Sequence, residues 1–166
     1  MRKKLFCLFL LCCYVVQVSA QEFCAFCDES IVNRQKIYES LLIEVLYTHK
    51  PITEGHCLII PKRHIEQFDK LSEEEMIEIY QAIKKVNLAV SKTFHTSAYL
   101  LAQKNGKEVG QTVPHVHFHY IPKKKGNTSS LKFVGEAILA NLKSPIAQAE
   151  MQSTVEKLKK AMEETD

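Results

Sequence analysis

The sequence predicts an α+β domain, with a mainly antiparallel sheet of about five strands, one long helix and a C-terminal helix packed on it. Three observations carry this expectation. Short apolar runs closed by proline or glycine recur along the chain, and one long stretch of 3.6-residue period follows a capping box. The runs are not joined by the strict strand-helix-strand alternation that a parallel sheet requires.

The elements follow in order. Residues 38–47 (YESLLIEVLY) are rich in Leu, Ile and Val, precede the breaker Pro51, and predict one buried strand. Gly55-His56-Cys57-Leu58-Ile59-Ile60-Pro61 predicts a second, short strand ended by its proline. Ser72-Glu73-Glu74-Glu75 is a capping box, the Ser72 hydroxyl serving a backbone N–H and the Glu75 carboxylate returning to Ser72. Met76, Ile79, Tyr80, Ile83, Val86, Ala89, Val90 and Phe94 then fall at spacings of three and four, which predicts the longest helix with one apolar face. His95 stands at its end as a helix-terminus cation. Residues 97–103 (SAYLLAQ) predict a third strand, Asn105-Gly106 a turn, and residues 113–121 a fourth strand. A tail helix is expected over residues 146–162, with Ala149, Val155 and Leu158 on its apolar side.

The chain has 166 residues, a net charge of +3, 46% hydrophobic residues, and only five Gly and five Pro, which excludes collagen, coiled coil and disordered classes. Arg2, Lys3 and Lys4 precede an apolar run over residues 5–16 and the small pair Ser19-Ala20, the three-part pattern of a signal peptide over residues 1–20. Twelve residues rise about 18 Å as a helix, short of the ~30 Å hydrocarbon core, so a cleaved leader is expected rather than a membrane span. Residues 21–166 would then be one exported domain, periplasmic or secreted; the alternative is a cytoplasmic protein whose start lies further in. Without the leader the net charge is zero, and Cys24, Cys27 and Cys57 remain. That balance argues against a nucleic-acid partner, and three cysteines are too few for a disulfide framework. Cys57, in an apolar run, is expected to be a small buried hydrophobe.

The fourth strand carries Pro114-His115-Val116-His117-Phe118-His119-Tyr120. Alternation puts His115, His117 and His119 on one face, about 6.6 Å apart along the strand, with Val116, Phe118 and Tyr120 on the other. Such rings can bind a catalytic zinc with an open position, or one imidazole can attack an electrophile while its neighbours hold oxygens. The Gly-containing segment from Asn105 to Val113 favours the second use, because its backbone N–H groups, the Gln111 amide and the Thr112 hydroxyl suit an anion such as phosphate.

Gly110-Gln111-Thr112-Val113-Pro114-His115-Val116-His117-Phe118-His119 resembles the signature of the histidine triad (HIT) family. Thr53-Glu54-Gly55-His56 through Pro61-Lys62-Arg63-His64 is similar to that family's second block, and Phe23-Cys24-Ala25-Phe26-Cys27 to the opening of its zinc-containing members. The blocks cover a core of residues 23–121, leaving 122–166 as a C-terminal extension. The resemblance implies a HIT-like fold paired into a homodimer. It also implies transfer or hydrolysis at the α-phosphate of a purine nucleotide, releasing a mononucleotide such as AMP from phosphoramidates or dinucleoside polyphosphates. His117 would be the nucleophile, His119 and Gln111 would hold phosphate oxygens, Thr112 would sit by the leaving group, and His56 and Gly110 would line the site. Cys24, Cys27, His64 and His115 would hold a structural zinc, with no catalytic metal required; a Cys24–Cys27 disulfide is the alternative. Two positions depart from the pattern. Thr48 stands near where members place an Asp or Asn on the ribose, and Lys104, followed by Asn105, where they place Asn or Gln; Thr48 and Asn105 would be the nucleotide contacts at these places. A zinc hydrolase using the triad as ligands, and a non-catalytic nucleotide-binding or interaction protein, are the other readings. Lys123-Lys124-Lys125 is read as a solvated charge run.

Overall fold

The computed structural model describes residues 23–123 and 144–165, with Gly135, Leu139 and Leu142. The expected leader over residues 1–20 lies outside the described residues, as do Lys124 and Lys125.

Asp28 caps a short helix α1 (Glu29–Gln35), its carboxylate accepting from the Ser30 and Ile31 N–H groups. The sequence reading had no helix here. Strands β1 (Lys36–Glu39) and β2 (Ile43–Tyr47) follow as an antiparallel pair. The single strand expected over residues 38–47 is therefore a hairpin. The Ser40 N–H donates to the Ile43 carbonyl, and the Glu78 carboxylate accepts from the Ser40 hydroxyl and the Leu42 N–H. Leu41 sits at the tip, 81% exposed.

Strand β3 (Cys57–Pro61) pairs with β2, and the capped helix α2 (Glu73–Phe94) follows with both bonds of its capping box formed. Ile79, Ala82, Val86, Ala89 and Val90 bury one face of α2, whereas Tyr80, assigned to that face from its spacing, is exposed beneath the Lys84 ammonium. His95 ends the helix in the left-handed conformation at φ 55°, its N–H bonded to the Ser91 carbonyl.

Strand β4 (Tyr99–Gln103) pairs with β5 (Phe118–Pro122), and β5 with β3. The sheet order is β1-β2-β3-β5-β4, every pair antiparallel, which is the predicted α+β architecture. The strand expected over residues 113–121 begins only at Phe118. His115 and His117 approach it as non-strand backbone, held by the Val116 N–H on the Ile65 carbonyl at 2.6 Å. Helix α3 (Gln148–Glu163) closes the fold with Met151, Val155, Leu158, Ala161 and Met162 buried; Ala149, placed on its apolar side in the sequence reading, is exposed.

Strand alternation divides the side chains between two faces. Val45, Tyr47, Cys57, Ile59, Phe118 and Tyr120 meet Val116, α2 and α3 in the main core. The opposite face carries Leu46, Leu58 and Ile60 against Val32 of α1, with Phe26 packed on them. His119 faces Leu58 across the β3–β5 pair, so it lies on this second face, away from α2 and α3. Gly55 is required where it stands: φ is +83°, and a Cβ would lie 3.0 Å from the Phe94 ring.

Candidate active site

Four imidazoles converge on the second face, and hydrogen bonds fix their tautomers. The Ile52 N–H donates to His56 Nδ1 at 3.2 Å, so His56 carries its proton on Nε2. That nitrogen is 3.1 Å from His119 Nδ1, which must accept. His119 is left with Nε2–H as a donor. His117 Nδ1 lies 2.7 Å from the His115 carbonyl oxygen and donates to it, leaving a bare lone pair on His117 Nε2. The His117 and His119 ring centroids are 4.9 Å apart. A neutral nucleophilic nitrogen thus stands beside an N–H donor, the pairing that attack on an electrophile with developing oxyanion charge requires.

Burial keeps these rings neutral. Desolvation, then the charges of His119 and His117, push His56 down to about 3; desolvation, then His117 and Lys104, push His119 down to about 4. His117 is lowered by the same first cause. Stability follows with a definite sign. Above about pH 6.5 the rings are neutral in both folded and unfolded chains and contribute nothing to pH dependence. As pH falls from 6.5 toward 4, the unfolded chain takes up protons that folded His56 and His119 refuse, and the fold loses on the order of a few kcal/mol. The urea midpoint should therefore drop between pH 7.5 and pH 4.5, and drop less in His56→Gln. An equal drop in both proteins would show that other groups control it.

The segment preceding the triad is braced from within. Gln111 Oε1 accepts from the Gly106 N–H at 2.6 Å, and Gln111 Nε2 donates to the Glu66 carbonyl at 2.9 Å. Asn105 Oδ1 accepts from the Phe68 N–H and from Gln103 Nε2. Both side chains, expected as ligand contacts, are hydrogen-bonded to the protein itself. Thr112 is exposed beside them. Thr48 is buried, its N–H bonded to the His56 carbonyl, so it adjoins the imidazole cluster. Gly110 adopts φ +82°, and a Cβ there would meet Lys104 Nζ at 3.4 Å.

The first triad histidine turns to a different set of partners. His115 Nε2 donates to the Pro61 carbonyl at 2.9 Å, which leaves Nδ1 bare and facing Cys24 Sγ at 3.4 Å and Cys27 Sγ at 3.6 Å. His64 Nδ1 lies 3.2 Å from Cys27 Sγ. The four ligand atoms are all within 4.8 Å of one another, and both cysteines are free thiols. Zinc bond lengths at the tetrahedral angle put sulfur and nitrogen ligands about 3.6 Å apart, so the group fits that ion with its second-nitrogen hydrogen bond already made. Phe26, inside the Cys-x-x-Cys pair, sets its ring edge-on 5.8 Å from His115 and 5.3 Å from His117. It links the two clusters and was missed in the sequence, where nothing separates it from any apolar residue between two cysteines.

The fold and site have counterparts among known proteins. Over 98 residues the chain is 37% identical to the asymmetrical bis(5′-nucleosyl)-tetraphosphatase of Schizosaccharomyces pombe, covering 59% of this chain and 54% of that protein. The chain thus spans about half the length of this relative. It is 35% identical over 102 residues to the adenosine 5′-monophosphoramidase hnt1 of the same yeast, covering 60% of this chain and 74% of that protein. Two solved structures share the fold at 24% identity. One is a hypothetical histidine triad nucleotide-binding protein from Sulfolobus tokodaii, with TM-score 0.68 over 85% of this chain and 93% of the other. The second is a Zn-bound histidine triad family protein from Mycobacterium smegmatis, with TM-score 0.66 over 86% and 95%. A family model described as the HIT domain matches residues 30–126, the whole sheet and the four-imidazole cluster included, and the chain belongs to that family.

Proposed function

We propose that the protein is a nucleotide hydrolase or nucleotidyltransferase acting at an α-phosphate, with His117 as the nucleophile. The observation that carries this reading is the proton placement: His117 Nε2 is bare because Nδ1 is committed to the His115 carbonyl, and His119 Nε2–H is free to donate because His56 occupies its other nitrogen. The lone pair attacks phosphorus, the leaving group departs with the bonding electrons, and water cleaves the nucleotidyl-histidine to release a mononucleotide such as AMP. His119 donates to a non-bridging oxygen. Gln111 serves as the brace of the loop, since its two amide hydrogens are directed at the Glu66 and His115 carbonyls. The named activities of the yeast relatives support the substrate class, a purine nucleotide bonded through phosphorus to a second group.

Of the triad, only His115 belongs to the metal-competent group among the described residues, which favours a structural zinc over a catalytic one. Pairing with a second copy is part of the proposal, supported by the partly exposed Tyr99, Leu100 and Leu101 on the edge strand β4. The test is AMP release by the purified protein from adenosine 5′-phosphoramidate and from diadenosine triphosphate, with chelator present. Turnover of at least one is expected; release of AMP from neither would sink the hydrolase reading.

A further inference from the structure

The register of β4 against β5 sets Ala102 opposite His119 and Gln103 opposite Phe118. Lys104 follows directly on the last residue of β4 and His117 directly precedes the first residue of β5, so the two leave the same end of this strand pair. The side chain lies against the loop: Lys104 Nζ is 3.4 Å from the Gly110 carbonyl oxygen. Gly110 leaves it room, since a Cβ there would come as close to Nζ as that oxygen does. The ammonium thus lies on the segment that leads into Gln111-Thr112, at the end of the strand pair from which His117 emerges. Its field is among the causes that hold His119 neutral, an independent sign that it faces the imidazoles. Among the described residues no carboxylate forms an ion pair with it. A cation placed at an anion-binding site and left without a counter-charge acts on whatever charge the ligand brings.

We propose that Lys104 is a specificity-determining residue that meets the negative charge of the leaving group, so that the site prefers α-phosphates bonded to a phosphate or polyphosphate over those bonded to an amine. This rests on the hydrolase reading above and deepens it. With an anionic leaving group, His117 Nε2 forms the N–P bond while the P–O bond breaks. Its electron pair goes to the leaving phosphate oxygen, which departs unprotonated beside the ammonium. With an amine, the P–N bond breaks, its electron pair goes to nitrogen, and the nitrogen takes a proton from solvent as it leaves, becoming a neutral or cationic product that a fixed cation does not favour. In both cases water then attacks phosphorus, the N–P electrons return to His117 Nε2, and a proton passes to solvent.

The experiment measures kcat/KM for diadenosine triphosphate and for adenosine 5′-phosphoramidate with the wild type, Lys104→Met, Lys104→Gln and Lys104→Arg. The triphosphate-to-phosphoramidate ratio should fall about tenfold or more in the Met and Gln variants and be kept in the Arg variant. Raising ionic strength should shrink the wild-type ratio and leave that of Lys104→Met flat. Equal losses on both substrates, or an unchanged ratio, would overturn the role of Lys104 while leaving the hydrolase reading standing. A wild type inactive on both would overturn the two together. Thermal melting of each variant checks folding, so that a collapsed variant is not scored and the Gln and Arg proteins decide.

Discussion

Replacing His117 with alanine is expected to lower kcat by about ten-thousandfold or more, with no loss of metal from the protein. In the proposed role of nucleophile His117 has no substitute nearby. His119 Nδ1 is taken up by His56, and its Nε2 bears a proton; His115 is turned toward the two thiols. A variant lacking the His117 imidazole has no lone pair at the attacking position, so only positioning of substrate for direct attack by water remains. The same variant should fail to form an acid-quenched, phosphorus-labelled nucleotidyl enzyme that the wild type forms. His117 is buried against Phe26, so the alanine leaves a cavity and the fold loses on the order of 1–3 kcal/mol. Melting must therefore be measured beside activity, and His117→Gln, which fills more of the space, gives the cleaner comparison. His119→Ala should cost about a hundred- to thousandfold, the scale of one lost oxyanion donor, while labelled enzyme still forms slowly. A His117→Ala protein that keeps more than a tenth of wild-type turnover would remove the nucleophile assignment.

The contrast between His117 and Gln111 shows what a sequence makes legible. Period-two spacing groups three histidines without any tertiary information, although only His119 lies in the strand itself, and Ser72-x-x-Glu75 specifies a helix start because both its bonds are local. The Cys-x-x-Cys pair is equally local. Its partners, His64 and His115, lie 37 and 88 residues further on and were placed through the family resemblance. Residues 38–47 misled because Leu41 and Leu42 extend an apolar run through what is a turn, and the Glu78 carboxylate that stabilises the turn arrives from α2. The polar atoms of Gln111 and Asn105 were legible, but not what those atoms are bonded to. Their partners, Glu66 and Phe68, lie in a loop with no periodicity to reveal it. The tautomer of every ring in the site likewise depends on a backbone group, such as the Ile52 N–H or the His115 and Pro61 carbonyls, whose position only the folded chain defines.

Replacing Cys24, a ligand in the proposed zinc site, should have the largest effect on stability. Zinc bound by Cys24, Cys27, His64 and His115 would clip the amino-terminal segment to the chain 91 residues away, and the sequence between offers no other covalent or coordinate link. Without a cation, burial and the adjacent Cys24 push the Cys27 thiol up to about 11, so that thiol keeps its proton and the four groups attract one another weakly. Zinc held by the four groups would exchange thiol protons for coordinate bonds, and the free energy released would be folding free energy. Metal analysis should give one zinc per chain in the wild type and well under half in Cys24→Ser. The melting temperature should fall by roughly 10 °C, corresponding to several kcal/mol for a domain of this size. Activity should fall as well, though less than in His117→Ala, because Phe26 packs edge-on against His117 and is held there by the cysteines on either side of it. Phe26→Ala separates the two effects. It removes the packing but none of the ligands, so zinc content should stay at one while kcat drops about tenfold. Zinc lost together with Phe26, or a wild type whose melting temperature ignores both chelator and added zinc, would rule out a clip acting through this residue.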